Sequence, residues 1–205
     1  MDITALVATA LAFFIVAVSP GPANISNAAI AMSYGRKTSL IYGAGLSCGL
    51  MVWGFVAASG MGAVLQGSLN LLMTLKILGG IYLLWLAWHS ARSAARPVNT
   101  AATLPAQGRW FWRGLILNLS NPKSVIAWMA ALSVGLGPDD GLFSLAVATS
   151  VCIAVGFLNN ILYTMLFSLD GMMRGYRRCR RWIDGIVAGL FTVAGLGLIR
   201  SAFSR

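Results

Sequence analysis

Glutamate is absent from this chain of 205 residues, aspartate occurs five times and histidine once. Acid–base and hydrolytic sites draw on paired carboxylates, histidine–carboxylate couples or metal-ligand clusters. Here there is no carboxylate pair placed for such work, and His89 has no companion ligand, so no catalytic residue, metal or cofactor is expected. Cysteine is scarce too, at an odd three with no paired spacing, which excludes a disulfide framework. Cys48 and Cys152 fall in apolar runs as small hydrophobic fillers, and Cys179 falls in a basic loop. Charged residues make up only 10% of the chain, against roughly 25% in soluble domains.

What fills the space is apolar: 58% of residues are hydrophobic and the mean hydropathy is +0.79. The apolar residues come in continuous runs near the length of a membrane-crossing helix, not in the alternation of a β-barrel. The expected fold is therefore an all-α polytopic membrane protein. Six spans can be drawn, at about 3–34, 39–65, 69–89, 111–136, 142–169 and 182–203, forming one transporter-like domain over 1–205. The first span starts after Asp2 without a basic leader and reads as a retained helix. The longest connection, 90–110, is too short for a soluble domain.

Charge then sets orientation. Fifteen Lys and Arg give a net charge of +10, and eleven of them (Arg36, Lys37, Arg92, Arg96, Arg109, Arg113, Arg174, Arg177, Arg178, Arg180, Arg181) flank three alternate connections. No basic stripe interleaves with aromatics, so nucleic acid is not an expected partner. The bias places these connections in the cytoplasm and both termini outside, with Arg200 and Arg205 counting mildly against it. Asp170 and Asp184 are read as flanking the last basic loop, which leaves no carboxylate deep in any span.

Two spans carry breaks. "SPGPAN", Ser19 to Asn24, interrupts the first, and "NLSNPK", Asn118 to Lys123, interrupts the fourth. Three spans per half would make the halves opposite in orientation, so an inverted three-plus-three repeat puts the breaks at matching places, the strongest sequence pointer to a transporter's central site. Lys123 lies ten residues past Arg113, roughly 15 Å deep. Segments 75–88 and 190–203 share four identities, Gly80 with Gly195 among them, a weak trace of such a repeat.

A helix restarting at Pro22 or Pro122 has proline where no N–H is needed, and its next N–H groups lack intrahelical acceptors. Two such ends suit a carboxylate. Asn121 is a cap for the second restart, and Asn24 and Asn27 share a helical face. The candidate substrate-binding set is Ser19, Pro20, Gly21, Pro22, Asn24, Asn27, Asn118, Asn121, Pro122 and Lys123, with Asn159 and Asn160 as pathway or helix-pairing residues. The same motifs also fit simple kinks, with Lys123 snorkelling to the surface; two polar breaks and a mid-depth lysine favour a site. Lys76 reads as snorkelling and His89 as a surface group. Gly45/Gly49 and Gly185/Gly189 have the small-xxx-small spacing of close helix packing, within one chain or between two copies, so a homodimer is among the readings they allow.

These residues also resemble a known family. "SPGPAN", "GRKTSLIYGAGLSCG", "KILGGIYLLWLAW" and "FWRGLILNLSNPKSVIAW" together look like the LysE/RhtB amino-acid exporters, in order along nearly the whole chain. The resemblance implies a bacterial inner-membrane secondary transporter of amino acids or close relatives, driven by the proton motive force. It matches Pro20, Gly21, Pro22 and Asn24 to one family motif, and Asn118, Asn121, Pro122 and Lys123 to the other. Some members carry an acidic residue after a glycine in the second span, where this chain has Leu50 after Gly49, so the proton route is unassigned. A passive channel or a helical subunit of a larger complex is the alternative reading.

Overall fold

The computed structural model describes residues 2–67, 69–95, 108–137, 140–169 and 171–203, without side chains at 61–72, 75, 122, 126, 173 and 177. Most of the long connection, with Arg96, and also Asp139, Asp170 and Arg205, lie outside the described residues. Every regular element described is an α-helix: α1 Ile3–Val18, α2 Pro22–Gly67, α3 Leu69–Ala95, α4 Trp110–Leu119, α5 Pro122–Gly135, α6 Leu142–Phe167 and α7 Met172–Phe203. Pro22–Gly60, Leu142–Phe167 and Arg178–Phe203 are each long and apolar enough to cross a membrane, and Ile3–Val18 and Lys123–Gly135 are shorter apolar helices. The outward faces are apolar, as with Ile3, Val7, Leu11 and Phe14 on α1 and Ile186, Leu190, Val193 and Leu196 on α7. A surface of that kind is stable against acyl chains, not water.

Several boundaries differ from the sequence expectation. α2 has no loop at 35–38; it turns sharply at Gly35, whose φ of 80° and ψ of 172° only glycine adopts readily, and helix resumes at once. The basic residues 174–181 belong to α7, which begins ten residues before Trp182. Cys179 is accordingly an exposed helical residue, not a loop one. Asp184 does not flank a loop: it is buried within α7, 2% exposed. The pattern failed there because arginine-rich sequence reads as loop, whereas a helix end at the membrane surface carries the same residues.

Helix packing brings the three basic regions to one end. Arg36 Nε donates to Ser168 Oγ at 3.2 Å, Tyr34 lies 4.8 Å from Trp110 between ring centres, and Arg180 Nη2 donates to Ser93 Oγ at 2.8 Å. α1 and α5 pack together in the other half, where a Cβ on Gly135 would press on Ala5 and Thr9. α2 lies against α4 and α6, and α3 runs along α7.

Glycines set the closest of these approaches. Gly45 of α2 faces the backbone of Phe111 and Leu115 in α4, while Gly114 of α4 faces Tyr42 and Leu46 in α2. Gly49 meets Asn118, where a Cβ would sit 2.8 Å from the Asn118 Cβ. The first small-residue pair is thus used inside the chain. A Cβ added at Gly185 or Gly189 would meet no other part of the fold within 4 Å. Gly80 and Gly195 meet reciprocally, each added Cβ falling 2.8 or 2.9 Å from the other's carbonyl oxygen. The core between α1, α2, α5 and α6 centres on Trp128, fully buried against Phe13, its Nε1 donating to the Leu50 carbonyl at 2.9 Å.

Candidate functional site

Both breaks form where the prolines require them. α1 ends at Val18 because Ser19, preceding Pro20, is extended at φ −62°, ψ 141°, and helix restarts at Pro22. α4 ends at Leu119, Asn121 precedes Pro122 in an extended conformation, and α5 restarts with proline at its first position. As expected, Asn121 is the cap: its Oδ1 accepts from the Lys123 N–H at 3.1 Å, and its carbonyl accepts from the Ser124 N–H at 3.0 Å.

Breaking a helix frees carbonyls as well as N–H groups, and in a membrane interior protein groups must satisfy them. The Asn24 amide donates to the Ala17 carbonyl at 2.6 Å and the Ser19 carbonyl at 3.0 Å. Ser19 Oγ donates to the Val16 carbonyl at 2.8 Å, and the Tyr163 hydroxyl to the Val18 carbonyl at 2.8 Å. At the second break Trp53 Nε1 donates to the Leu119 carbonyl at 3.2 Å. Tyr163 and Trp53 were not candidates from sequence. The available signal is general: a buried Tyr or Trp needs a partner for its polar tip.

The two breaks meet. Lys123 Nζ donates to the Ser19 carbonyl at 3.1 Å and to the Ser19 hydroxyl, across 104 residues of sequence. A Cβ on Gly21 would lie 3.2 Å from the same ammonium. The helix ends themselves are unequal. Asn121 occupies the first donors of α5, whereas Gly21, in the equivalent place before α2, has no side chain with which to cap Ala23 and Asn24. The start of α2 therefore sets the positive end of its helix dipole beside the Lys123 ammonium.

Two cavities adjoin this point, and Gly21, Asn121 and Lys123 line both. The first has a free volume of about 60 Å³ among α1, α2, α5 and α6, and Asn118, Asn159 and Asn160 line it. The second, about 390 Å³, runs between the first break, α3 and α7 to the basic end, past Tyr82, Trp85, His89, Arg180 and Asp184. Lys123 and Ser19 stand at the partition.

The candidate residues divide accordingly. Ser19, Pro20, Gly21, Pro22, Asn24, Asn118, Asn121, Lys123, Asn159 and Asn160 surround the two cavities. Asn27 lines neither: its amide donates to the Asn160 carbonyl at 3.0 Å and Thr164 Oγ1 at 3.3 Å, and its Oδ1 accepts from Ser39 at 2.9 Å. Asn159 donates to Asn24 Oδ1 at 3.2 Å, and Asn160 to Ser47 Oγ at 2.8 Å. Two amide oxygens that border the first cavity, Asn118 Oδ1 and Asn159 Oδ1, are buried without a hydrogen-bond partner. Such atoms are expensive unless something arrives to donate to them. His89 is exposed at the mouth of the second cavity, its ring 4.0 Å from Trp85.

The family described as LysE type translocator matches residues 14–202. The chain is similar to a threonine efflux protein of Salmonella typhi, 33% identical over 201 residues, covering 94% of this chain and 96% of the relative. A threonine efflux protein of Escherichia coli is 30% identical over 197 residues, with the same coverage of 94% and 96%. A homoserine/homoserine lactone efflux protein of Salmonella typhimurium is 33% identical over 119 residues, covering 58% of this chain and 57% of the relative. No solved structure matches.

Proposed function

The chain belongs to the LysE type translocator family, and from that premise we propose that it exports amino acids or closely related small metabolites across the bacterial inner membrane. It is a transporter, not an enzyme, acting as a single domain over 1–205 and drawing on the proton motive force. The observation that carries this reading is the meeting of the breaks, with Lys123 of one on Ser19 of the other. A substrate carboxylate replaces the Ser19 contact at Lys123 and takes the donors at the start of α2. Asn118 Oδ1 and Asn159 Oδ1 then accept from hydroxyl or amine groups of the same molecule.

The helical order supports an inverted three-plus-three repeat. α1 and α4 each end at a break, Pro22 and Pro122 each restart a helix, and Gly80 of α3 meets Gly195 of α7 where a two-fold relation would place equivalent residues. Alternating access follows when Lys123 leaves Ser19 for the carboxylate and the halves rock about this point. With the basic end in the cytoplasm, the larger cavity is the route by which substrate reaches Lys123.

Efflux from cells loaded with single amino acids, L-threonine first, tests this reading. Lys123→Ala and Asn121→Ala are expected to abolish export while the protein remains at normal abundance in the membrane. Normal efflux from both variants removes the proposed site. Equilibration without accumulation against a gradient, in liposomes carrying the purified protein, would make it a channel.

A further inference from the structure

Asp184 is the one carboxylate among the described residues that is buried in the bundle, and the sequence pattern hides it. It projects from α7 into the cavity that also holds Lys123, so that route carries both signs of charge. Its Oδ2 is buried and accepts no hydrogen bond. Its ion partner among the described side chains is Arg180, one turn back on α7, whose Nε stands 3.4 Å from that oxygen while its Nη2 is committed to Ser93. From α3 the cavity presents Tyr82 and His89, from α7 Tyr176, and from α5 only Lys123.

A buried carboxylate with an unfilled acceptor is a costly arrangement. Oδ2 faces Arg180 across 3.4 Å without a hydrogen bond, so its acceptor is left for a donor that the described residues do not supply. That donor has to be cationic or strongly polar, small enough for the cavity, and present on the path to Lys123. An ammonium group meets all three conditions.

We propose that Asp184 binds the α-ammonium of the substrate on its way from the basic end to Lys123. This rests on the export reading above and extends it: the pathway selects zwitterions, with Asp184 reading the cationic end and Lys123 the anionic end. It also accounts for how a chain without an acidic residue after Gly49 handles a positively charged group.

The test is L-threonine counterflow in liposomes carrying the purified full-length protein, with 2,3-dihydroxybutanoate as competitor. This competitor is threonine with a hydroxyl in place of the ammonium. Wild type is expected to favour threonine over the competitor at least tenfold. Asp184→Asn is expected to raise the threonine KM at least tenfold, with maximal rate kept within about twofold and competitor inhibition unchanged. Asp184→Glu is expected to retain the wild-type preference. An Asn variant with the wild-type threonine KM, or one that weakens both compounds equally, overturns the assignment. So does a wild type that does not distinguish the two compounds, a measurement that needs no variant to fold. Wild-type protein that moves no amino acid overturns the export reading and this assignment together, whereas active wild type with an indifferent Asn variant overturns this assignment alone.

Discussion

Lys123 Nζ donates to the Ser19 carbonyl at 3.1 Å and stands 3.2 Å from where a side chain on Gly21 would begin. One ammonium therefore bridges two broken helices and sits beside the only residue type that leaves it room. Glycine at 21 is a spatial requirement of the site.

Gly21→Ala follows from this geometry. The added methyl meets the far end of a flexible lysine, which moves aside, so the folded protein is expected at wild-type abundance. The ammonium leaves the start of α2, and the KM for the exported amino acid is expected to rise at least fivefold with thermal stability unchanged. Export kinetics beside a thermal unfolding curve check both halves.

Asn118 gives a prediction with opposite signs. Its Oδ1 is buried without a partner, a burden of about 1–3 kcal/mol. Asn118→Ala is expected to leave the melting temperature unchanged or raised while export falls at least tenfold, the trade-off of a site that is strained for function. A variant that melts lower and exports normally would make Asn118 structural.

The carbonyl partners at the breaks behave in the reverse way. Tyr163→Phe orphans the Val18 carbonyl and Trp53→Phe orphans the Leu119 carbonyl. Each is expected to lower stability by about 1–3 kcal/mol, read as a lowered unfolding temperature in detergent. Residual export per folded molecule should remain above that of Lys123→Ala.

The two small-residue motifs separate cleanly. Gly45→Ala and Gly114→Ala drive a Cβ into the opposing backbone, 2.9 Å from the Leu115 nitrogen and 3.0 Å from the Leu46 nitrogen. Each is expected to destabilise by about 1–3 kcal/mol, because backbone cannot yield as a side chain does. Gly185→Ala and Gly189→Ala meet nothing within 4 Å and are expected to be neutral or slightly stabilising. Membrane abundance and unfolding temperature of the four variants decide it.

The breaks were legible in the sequence because proline acts locally. Helix restarts at Pro22 and Pro122 and the Asn121 cap follow from the missing N–H and from the residue before each proline, whatever surrounds them. Apolar content and basic residues likewise established a helical membrane protein with its charge at one end. What Asn27 meets was not legible, because a shared face with Asn24 does not say what that face packs against; its amide bonds Ser39, Asn160 and Thr164.

Asp184 was hidden for the same reason. It follows Arg180 and Arg181 by four and three residues, at the edge of an arginine-rich run, and only the packing of α7 on α3 turns it inward. Composition and proline chemistry are one-dimensional and act within a few residues, so the sequence alone determined a membrane bundle with two broken helices. That Lys123 reaches Ser19, that Trp53 and Tyr163 satisfy the opened carbonyls, and that a carboxylate shares a cavity with the lysine were decided by tertiary structure. Those contacts join residues far apart in the chain, and close packing at glycines fixes which side chains meet.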